Sequence, residues 1–497
     1  MTESRRYDGA GQLTSITDTA GTKTLDSYAL TLNADGEPAQ AAITQNGLAQ
    51  PTSYYTYDVS GRLASACATT KGSSACSTAS GGGEVAWTYD RAGNRITQTS
   101  AGATTSYSYS ADEELTEAVT GSTTVSYAYN ADGQQTTAGT STYSYNGAGE
   151  LTGAVTSAGT YSYSYDAGGN LSATSKSGTL QQTAIWDVNS PLPMAAEQTG
   201  SSGATIADYR YGPGGRLASM TTSAGTYQAT TDWLSSITGL VNSSGAQVMS
   251  TTYSAYGTPT TTGSPASSIG YAGSYTLAGS GGLDDMRARD YNAGTGAFTS
   301  VDPMLAMTGQ PYAYASDGPS YYIDPSGRVV GPDNLIAGGI GAIVGGGSAI
   351  LNDLAYGKPI KWSDVGIAAA SGFAYGAAAD ECGPCAGAVS AALNNALTQL
   401  NNNGWSATNF SFSELEAEAE QGYLIGSFDE VMGSGGGKHV AENSSETVKA
   451  GLWTFGPDLG VGAIDPASIL LNPASALCSL IDRGGDGGTF VPPGASG

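Results

Sequence analysis

Charge is scarce in this 497-residue chain: 12% of residues are charged, and 43 acidic against 18 basic side chains give a formal net charge of −25. Such a chain offers few cations to a phosphate backbone or an anionic bilayer, which disfavours nucleic-acid binding and membrane-surface binding. Histidine is nearly absent. The single one, His439 in "GGGKHVAEN", stands beside Lys438 and near Glu442. With no second histidine and no nucleophile motif it reads as a surface turn, and neither a metal site nor a cofactor is expected. Long apolar runs are also missing. The longest uncharged apolar run, Leu335 to Leu351, has 17 residues, 6 of them glycine. A spanning helix needs ~20 predominantly apolar residues, so a Gly-packed helix pair is expected there and no stable membrane span. The opening "MTESRRYDGAG" has no apolar core of a secretory signal.

Cysteine is limited to five residues. Cys67 and Cys76 flank the polar insert "ATTKGSSA", where a local disulfide suits an exported protein. Cys382-Gly-Pro-Cys385 has the spacing of a thioredoxin-like redox motif and is followed by the helix-prone "AGAVSAALNNALTQL". The preceding "GFAYGAAADE" is Ala-rich and acidic rather than a strand of a βαβ unit, so a structural pair is the favoured reading over a thiol oxidoreductase. Cys478 has no evident partner in the sequence pattern.

Tyrosine, glycine and threonine are what the chain has instead. Of 30 tyrosines only Tyr356, Tyr375 and Tyr423 follow Gly327, so two kinds of structure are expected to meet near residue 328. Before that point the pattern Tyr-x-Tyr-Asp/Asn-x-x-Gly-x-Leu recurs, as "YTYDVSGRL", "YSYNGAGEL", "YSYDAGGNL" and "YRYGPGGRL", with variants "WTYDRAGNRI", "YSYSADEEL" and "YAYNADGQQ". Alternating aromatics have the period of a strand, and Asp/Asn-x-x-Gly supplies a turn whose glycine takes positive φ before a return strand carrying the leucine. One such hairpin cannot bury its own aromatic face. Stacked neighbours can, which predicts a mainly β array over 1–245 that curls into a partial shell. After residue 328 the Ala-rich segments and the Ser-capped "SFSELEAEAEQGYLIGSF" predict an α-rich tail, 329–497.

The repeats resemble those of the Rhs/YD-repeat proteins, relatives of the C component of bacterial Tc toxins and of the teneurins. "AIWDVNSPLP", "YGPGGRLASM" and "TGLVNSSGAQVMSTTYSAYGTP" are similar to the stretches leading into that family's core. "IGYAGSYTLAGSGGLDDMRARDYNAGTGAFTSVDP" and "GQPYAYASDGPSYYIDPSGR" are similar to the core itself, here 246–328. The resemblance spans about residues 7–328. It implies a hollow β-shell closed by a core that is an intramolecular aspartyl protease, cutting just after a DPxG-Leu motif to free a variable C-terminal effector. Carried over residue by residue, it assigns catalysis to Arg289, Asp302 and Asp324, and cleavage to Gly327, Arg328 and Val329. The implied partners are the chain's own C-terminal segment as cargo and an immunity protein; the implied location is secreted or cell-surface.

Two departures stand out. "RARDYNAGTG" has Asp290 and Asn292-Ala293 where the family carries a second tyrosine and Asp-Pro, and Arg328 replaces the leucine at the cut. An arginine there must pair or stay solvated. Without the resemblance, the two Asp-Pro pairs also read as turn starters, with Arg289 neutralising carboxylates. About eight repeats make only part of an enclosure, so the chain reads as a piece of a longer protein with exposed strand edges that favour association. A non-catalytic, adhesive YD-repeat protein is the rival expectation.

Overall fold

The computed structural model describes residues 1–328, apart from 74, 75, 77–82 and 189–191, and beyond them Asn394 and Thr398. The tail expected to be α-rich, Val329, Cys382, Cys385 and His439 lie outside the described residues.

Twenty-five strands form one antiparallel sheet in the described part. Almost every strand pairs with its sequence neighbour, from Thr2–Tyr7 on Leu13–Ala20 to Gln247–Tyr253 on Pro259–Gly263. The meander runs past residue 245 to Gly263 before the core begins. Both end strands are paired on one side only among the described residues, and Pro259–Gly263 is exposed along its length.

The repeat turn explains this regularity. In "YDVSGR" the Asp58 Oδ1 accepts the backbone N–H of Ser60 at 2.8 Å and of Arg62 at 3.1 Å. Gly61 closes the turn with its N–H on Asp58 O and φ of +77°. Asp90, Asn130, Asn146 and Asp166 repeat the arrangement. Where serine stands instead, Ser110 Oγ accepts from Asp112 and Glu114, and Glu113 takes the glycine's positive φ of 64°. Each turn brings a one-residue register shift at the second tyrosine, so that Tyr57 faces Leu63 and Tyr165 faces Leu171. Such a bulge adds local twist, and repeated bulges make the sheet curl.

Successive repeats are joined by the second tyrosine. Its hydroxyl donates to the backbone carbonyl at the leucine position of the hairpin before it: Tyr89 to Leu63 at 2.7 Å, Tyr109 to Arg95 at 2.9 Å, Tyr145 to Gln135 at 3.0 Å, Tyr165 to Leu151 at 3.0 Å. The leucines themselves, Leu63, Leu151 and Leu171, are fully buried. The sheet curls far enough for its early strands to meet its late ones. Gln45 Nε2 donates to Thr238 O and Thr251 O, and Thr230 Oγ1 donates to Asp26 Oδ2 at 2.6 Å.

The core packs on the aromatic face of the sheet. Its strands Tyr275–Thr276, Leu283–Asp285, Asp290–Asn292 and Ala297–Phe298 form a second, four-stranded sheet. Tyr271, Tyr291, Tyr314 and Phe298 cluster inside it, with Tyr291 and Tyr314 ring centroids 4.2 Å apart. Repeat side chains reach into core backbone: Tyr143 to Ser280 O, Tyr163 to Ala278 O, Trp233 to Ser320 O. Arg95, standing where other repeats have leucine, is buried between the rings of Tyr107 and Tyr256 and donates to Thr295 O.

Candidate active site

The turn "SVDPM" holds the first aspartate. Asp302 N donates to Pro311 O at 2.8 Å, and its Oδ1 accepts Met304 N at 2.7 Å, starting the single helical turn Leu305–Thr308. Its other oxygen, Oδ2, accepts the Thr308 hydroxyl at 3.0 Å. The turn "IDPSGR" holds the second. Asp324 Oδ1 accepts the Ser326 hydroxyl and the Arg328 N–H, each at 3.0 Å, and Gly327 N donates to Asp324 O.

Arg289 brings the two turns together. One nitrogen, Nη2, lies 3.0 Å from Asp324 Oδ2 and 3.5 Å from Asp302 Oδ2. Its Nε donates to Gly327 O at 2.6 Å. The guanidinium stacks on Phe298, 3.6 Å from the ring centre. All three charged groups are buried, with Asp324 wholly so. Burial pulls the Arg289 pKa down, against the opposing pull of Asp324 and Asp302.

A substituent on Gly327 has no room. Its φ is +63°, and a Cβ there would lie 2.8 Å from both Arg289 N and Met286 O. The peptide bond between Gly327 and Arg328 is thus gripped at both ends: the carbonyl by Arg289, the N–H by Asp324. Arg328 itself is exposed, so its charged side chain remains solvated, and no apolar pocket has to accept it.

The residues named from the sequence, Arg289, Asp302, Asp324, Gly327 and Arg328, therefore come together at one locus, all of them buried except Arg328. Val329 and the thiol pair Cys382 and Cys385 fall outside the described residues. Cys67 and Cys76 are joined as a disulfide, Cα atoms 5.9 Å apart, well away in sequence from this locus. The turn-starter reading also holds for half of each aspartate: one oxygen of Asp302 and one of Asp324 serve their own turns, and the other faces Arg289. Sequence reasoning overlooked Ser326, Thr308 and Phe298. The first two could have been found as hydroxyls two or six residues after a turn aspartate, a spacing that allows side-chain bonds back to it. Nothing local marks Phe298.

Further acids lie close by in the core. Burial lifts Asp284 and Asp285 each to about 6, with Arg287 opposing the rise at Asp285. Arg287 donates to Pro193 O and stacks on Trp186. Among the described residues no cluster of three or more metal-ligating side chains occurs, and no helix is long and apolar enough to cross a membrane.

A family profile, that of the teneurin YD-shell, matches residues 1–316. Among solved structures, the crystal structure of TcdB2-TccC3 aligns at a TM-score of 0.50 and 19% identity, over 65% of this chain and 18% of that one. The crystal structure of TcdB2-TccC3-TEV aligns at a TM-score of 0.50 and 18% identity, with the same coverage. A Photorhabdus luminescens Tc holotoxin pore carrying a TccC3 variant gives 0.43 and 15%, over 65% and 20%. At such identities the likeness is one of fold, and this chain spans about a fifth of the length of the chains it matches. No curated protein sequence matches it. The profile covers well over half of the sequence and ends inside the core, and the chain belongs to the teneurin YD-shell family.

Proposed function

We propose that this protein is an Rhs-type carrier: residues 1–328 enclose a C-terminal effector, residues 329–497, and release it by cutting their own chain just after Arg328. The observation that carries this reading is the single guanidinium of Arg289, which holds two carboxylates and the carbonyl oxygen of Gly327, one residue before the cut. Two carboxylates against one cation can hold a proton in common, the arrangement that lets one act as base and the other as acid.

In this mechanism water adds to the Arg328 carbonyl carbon while the Arg289 guanidinium holds the aspartate pair and the chain one residue before the cut. The aspartate pair takes the proton from water. Asp324, whose Oδ1 accepts the Arg328 N–H at 3.0 Å and so stands one residue before the cut, is the source of the proton for the leaving amine. The carbon–nitrogen bond breaks, leaving a carboxylate on Arg328 and an amine on Val329. No cofactor enters any step. The cargo is the chain's own tail, an immunity protein would protect the producing cell, and the protein would act outside that cell.

Time-resolved intact-mass analysis of the full chain tests this. The expected product is a ~17 kDa piece beginning at Val329, its size following from chain length. A folded chain that stays whole, with both aspartates present, would make the core a structural plug and favour the adhesive reading.

A further inference from the structure

Arg289 does not treat the two aspartates alike. Its Nη2 stands 3.0 Å from Asp324 Oδ2 but 3.5 Å from Asp302 Oδ2. A cation favours the ionised form of the carboxylate it is nearer to. Left to Arg289, the proton held by the pair would rest on Asp302 and the charge on Asp324. Cutting needs the reverse, because Asp324 is the source of the proton for the leaving amine and the base must start without one. A group on Asp302 has to redress the balance.

Thr308 supplies one. Its Oγ1 donates to Asp302 Oδ2 at 3.0 Å and also lies 3.4 Å from Met304 O, so one hydroxyl has two acceptors in reach. Asp302 Oδ1 is taken by the Met304 N–H at 2.7 Å, which leaves Oδ2 as the oxygen that can receive a proton. The charged groups facing it are Arg289 and, across that guanidinium, Asp324. Thr308 also gives Asp302 the counterpart of the Ser326 hydroxyl on Asp324. With the hydroxyls matched, the deeper burial of Asp324, 0% exposed against 5%, favours its neutral form.

We propose that Thr308 is the positioning residue that makes Asp302 the base of the pair. The inference rests on the cleavage reading above. In the resting chain the threonine hydroxyl donates to Oδ2, holds Asp302 ionised and leaves the shared proton on Asp324. As water adds to the Arg328 carbonyl carbon, Oδ2 takes the proton that the water gives up. The hydroxyl then turns to Met304 O, and its oxygen accepts from the new Asp302 O–H. Asp324 gives its proton to the departing amine of Val329. The pair has gained one proton and lost one, and Thr308 keeps its own throughout.

The test uses the full chain, translated cell-free, trapped in urea before it cuts, and released by dilution into buffers of different pH. Intact mass follows cutting and limited proteolysis checks refolding. Five chains are compared: wild type, Thr308→Ser, Thr308→Val, Thr308→Ala and Asp302→Asn. Thr308→Val keeps the shape and loses the hydroxyl. It should move the acid limb of the rate–pH curve up by about one pH unit, slowing cutting ~10-fold on that limb and recovering at higher pH. Thr308→Ser should stay within a few-fold of wild type at every pH. Thr308→Ala should fall between them, because Thr308 is exposed and water can fill the space left. A packing role gives the opposite order, with valine close to wild type and alanine slowest. That order, or a valine variant slowed equally at every pH, would overturn the proposal. In either case a wild type that cuts and an Asp302→Asn chain that does not would leave the protease reading standing. A refolded wild-type chain that never cuts would remove both readings together.

Discussion

Two turns in this molecule have almost the same sequence, and they behave differently. Asp58–Arg62 reads "DVSGR" and Asp324–Arg328 reads "DPSGR". In both, glycine takes positive φ, +77° at Gly61 and +63° at Gly327, and bonds back to the aspartate carbonyl. In both, aspartate Oδ1 accepts the arginine N–H, at 3.1 Å and 3.0 Å. The difference lies in what surrounds the other oxygen. Asp58 is paired with the arginine of its own turn, Arg62 Nη2 at 2.6 Å, near the surface. Burial acts to raise its pKa, but the side chain of Arg62 and the backbone N–H groups together outweigh this and the net shift is downward. Asp324 is sealed from water and is paired with Arg289, 35 residues away in sequence, which also holds Gly327 O. Its own arginine points to solvent. The turn chemistry is therefore shared; burial and a foreign guanidinium separate a structural turn from a candidate catalytic one.

The largest contrast should come from the aspartates. Asp324→Asn keeps size and a hydrogen-bonding oxygen but cannot hold the proton, and should slow cutting by ~10²- to 10⁴-fold. Asp58→Asn should leave cutting unchanged and cost less than ~1 kcal/mol, because Asn130 and Asn146 already serve the same turn. Fragment yield by intact mass checks the first, urea unfolding the second. If both substitutions stop cutting, the distinction between the turns fails.

The glycines should differ next. Gly327→Ala pays for positive φ and also drives a Cβ against backbone atoms 2.8 Å away; a loss of ~2–4 kcal/mol is expected. At Gly61 the nearest atom is the end of the Glu37 side chain, at 2.9 Å. That group can move, and the loss should be ~1 kcal/mol. Equal midpoints in denaturant would contradict this.

A third test concerns a buried acid outside either turn. Asp18 is fully buried, has no hydrogen-bond partner, and lies across the strand pair from Glu3. Burial, then Glu3 and Asp26, push its pKa up to about 8, with Arg5 opposing. A carboxyl raised in the folded state contributes stability that is fully present below its unfolded value and is lost as pH rises through about 8. Relative to wild type, Asp18→Asn should gain ~1 kcal/mol or more between pH 5 and pH 9. A difference that does not move with pH, read from urea midpoints, would show that Asp18 does not titrate in that window.

The smallest effect should be that of Arg328→Leu. Because Arg328 is exposed, the change should alter stability by less than ~0.5 kcal/mol and cutting by about twofold. A strong acceleration would point to an apolar subsite for this side chain.

The repeats could be read in the sequence because each one carries its own instructions: alternating aromatics, an aspartate or asparagine, a glycine, a leucine. Arg289, Asp302 and Asp324 could be named only through family resemblance, since nothing local tells that turns at 302 and 324 meet one guanidinium. The targets of the tyrosine hydroxyls were equally illegible. Tyr165 finds its acceptor at Leu151 and Tyr89 at Leu63, at sequence distances of 14 and 26; only the stacked hairpins fix which carbonyl lies in reach. Arg95 at a leucine position looked like a variant repeat, and the rings that receive it come from the following strand, at Tyr107, and from far later in the chain, at Tyr256.

The tyrosine bonds between repeats all run one way. Tyr89, Tyr109, Tyr145 and Tyr165 each donate backwards, to a carbonyl made earlier in the chain. A growing polypeptide thus always presents the acceptor before the donor arrives. Each hairpin leaving the ribosome or an export channel can dock on a finished template, without waiting for anything still unmade. The array has the polarity of a ratchet, and assembly in the order of synthesis is written into the direction of one hydroxyl.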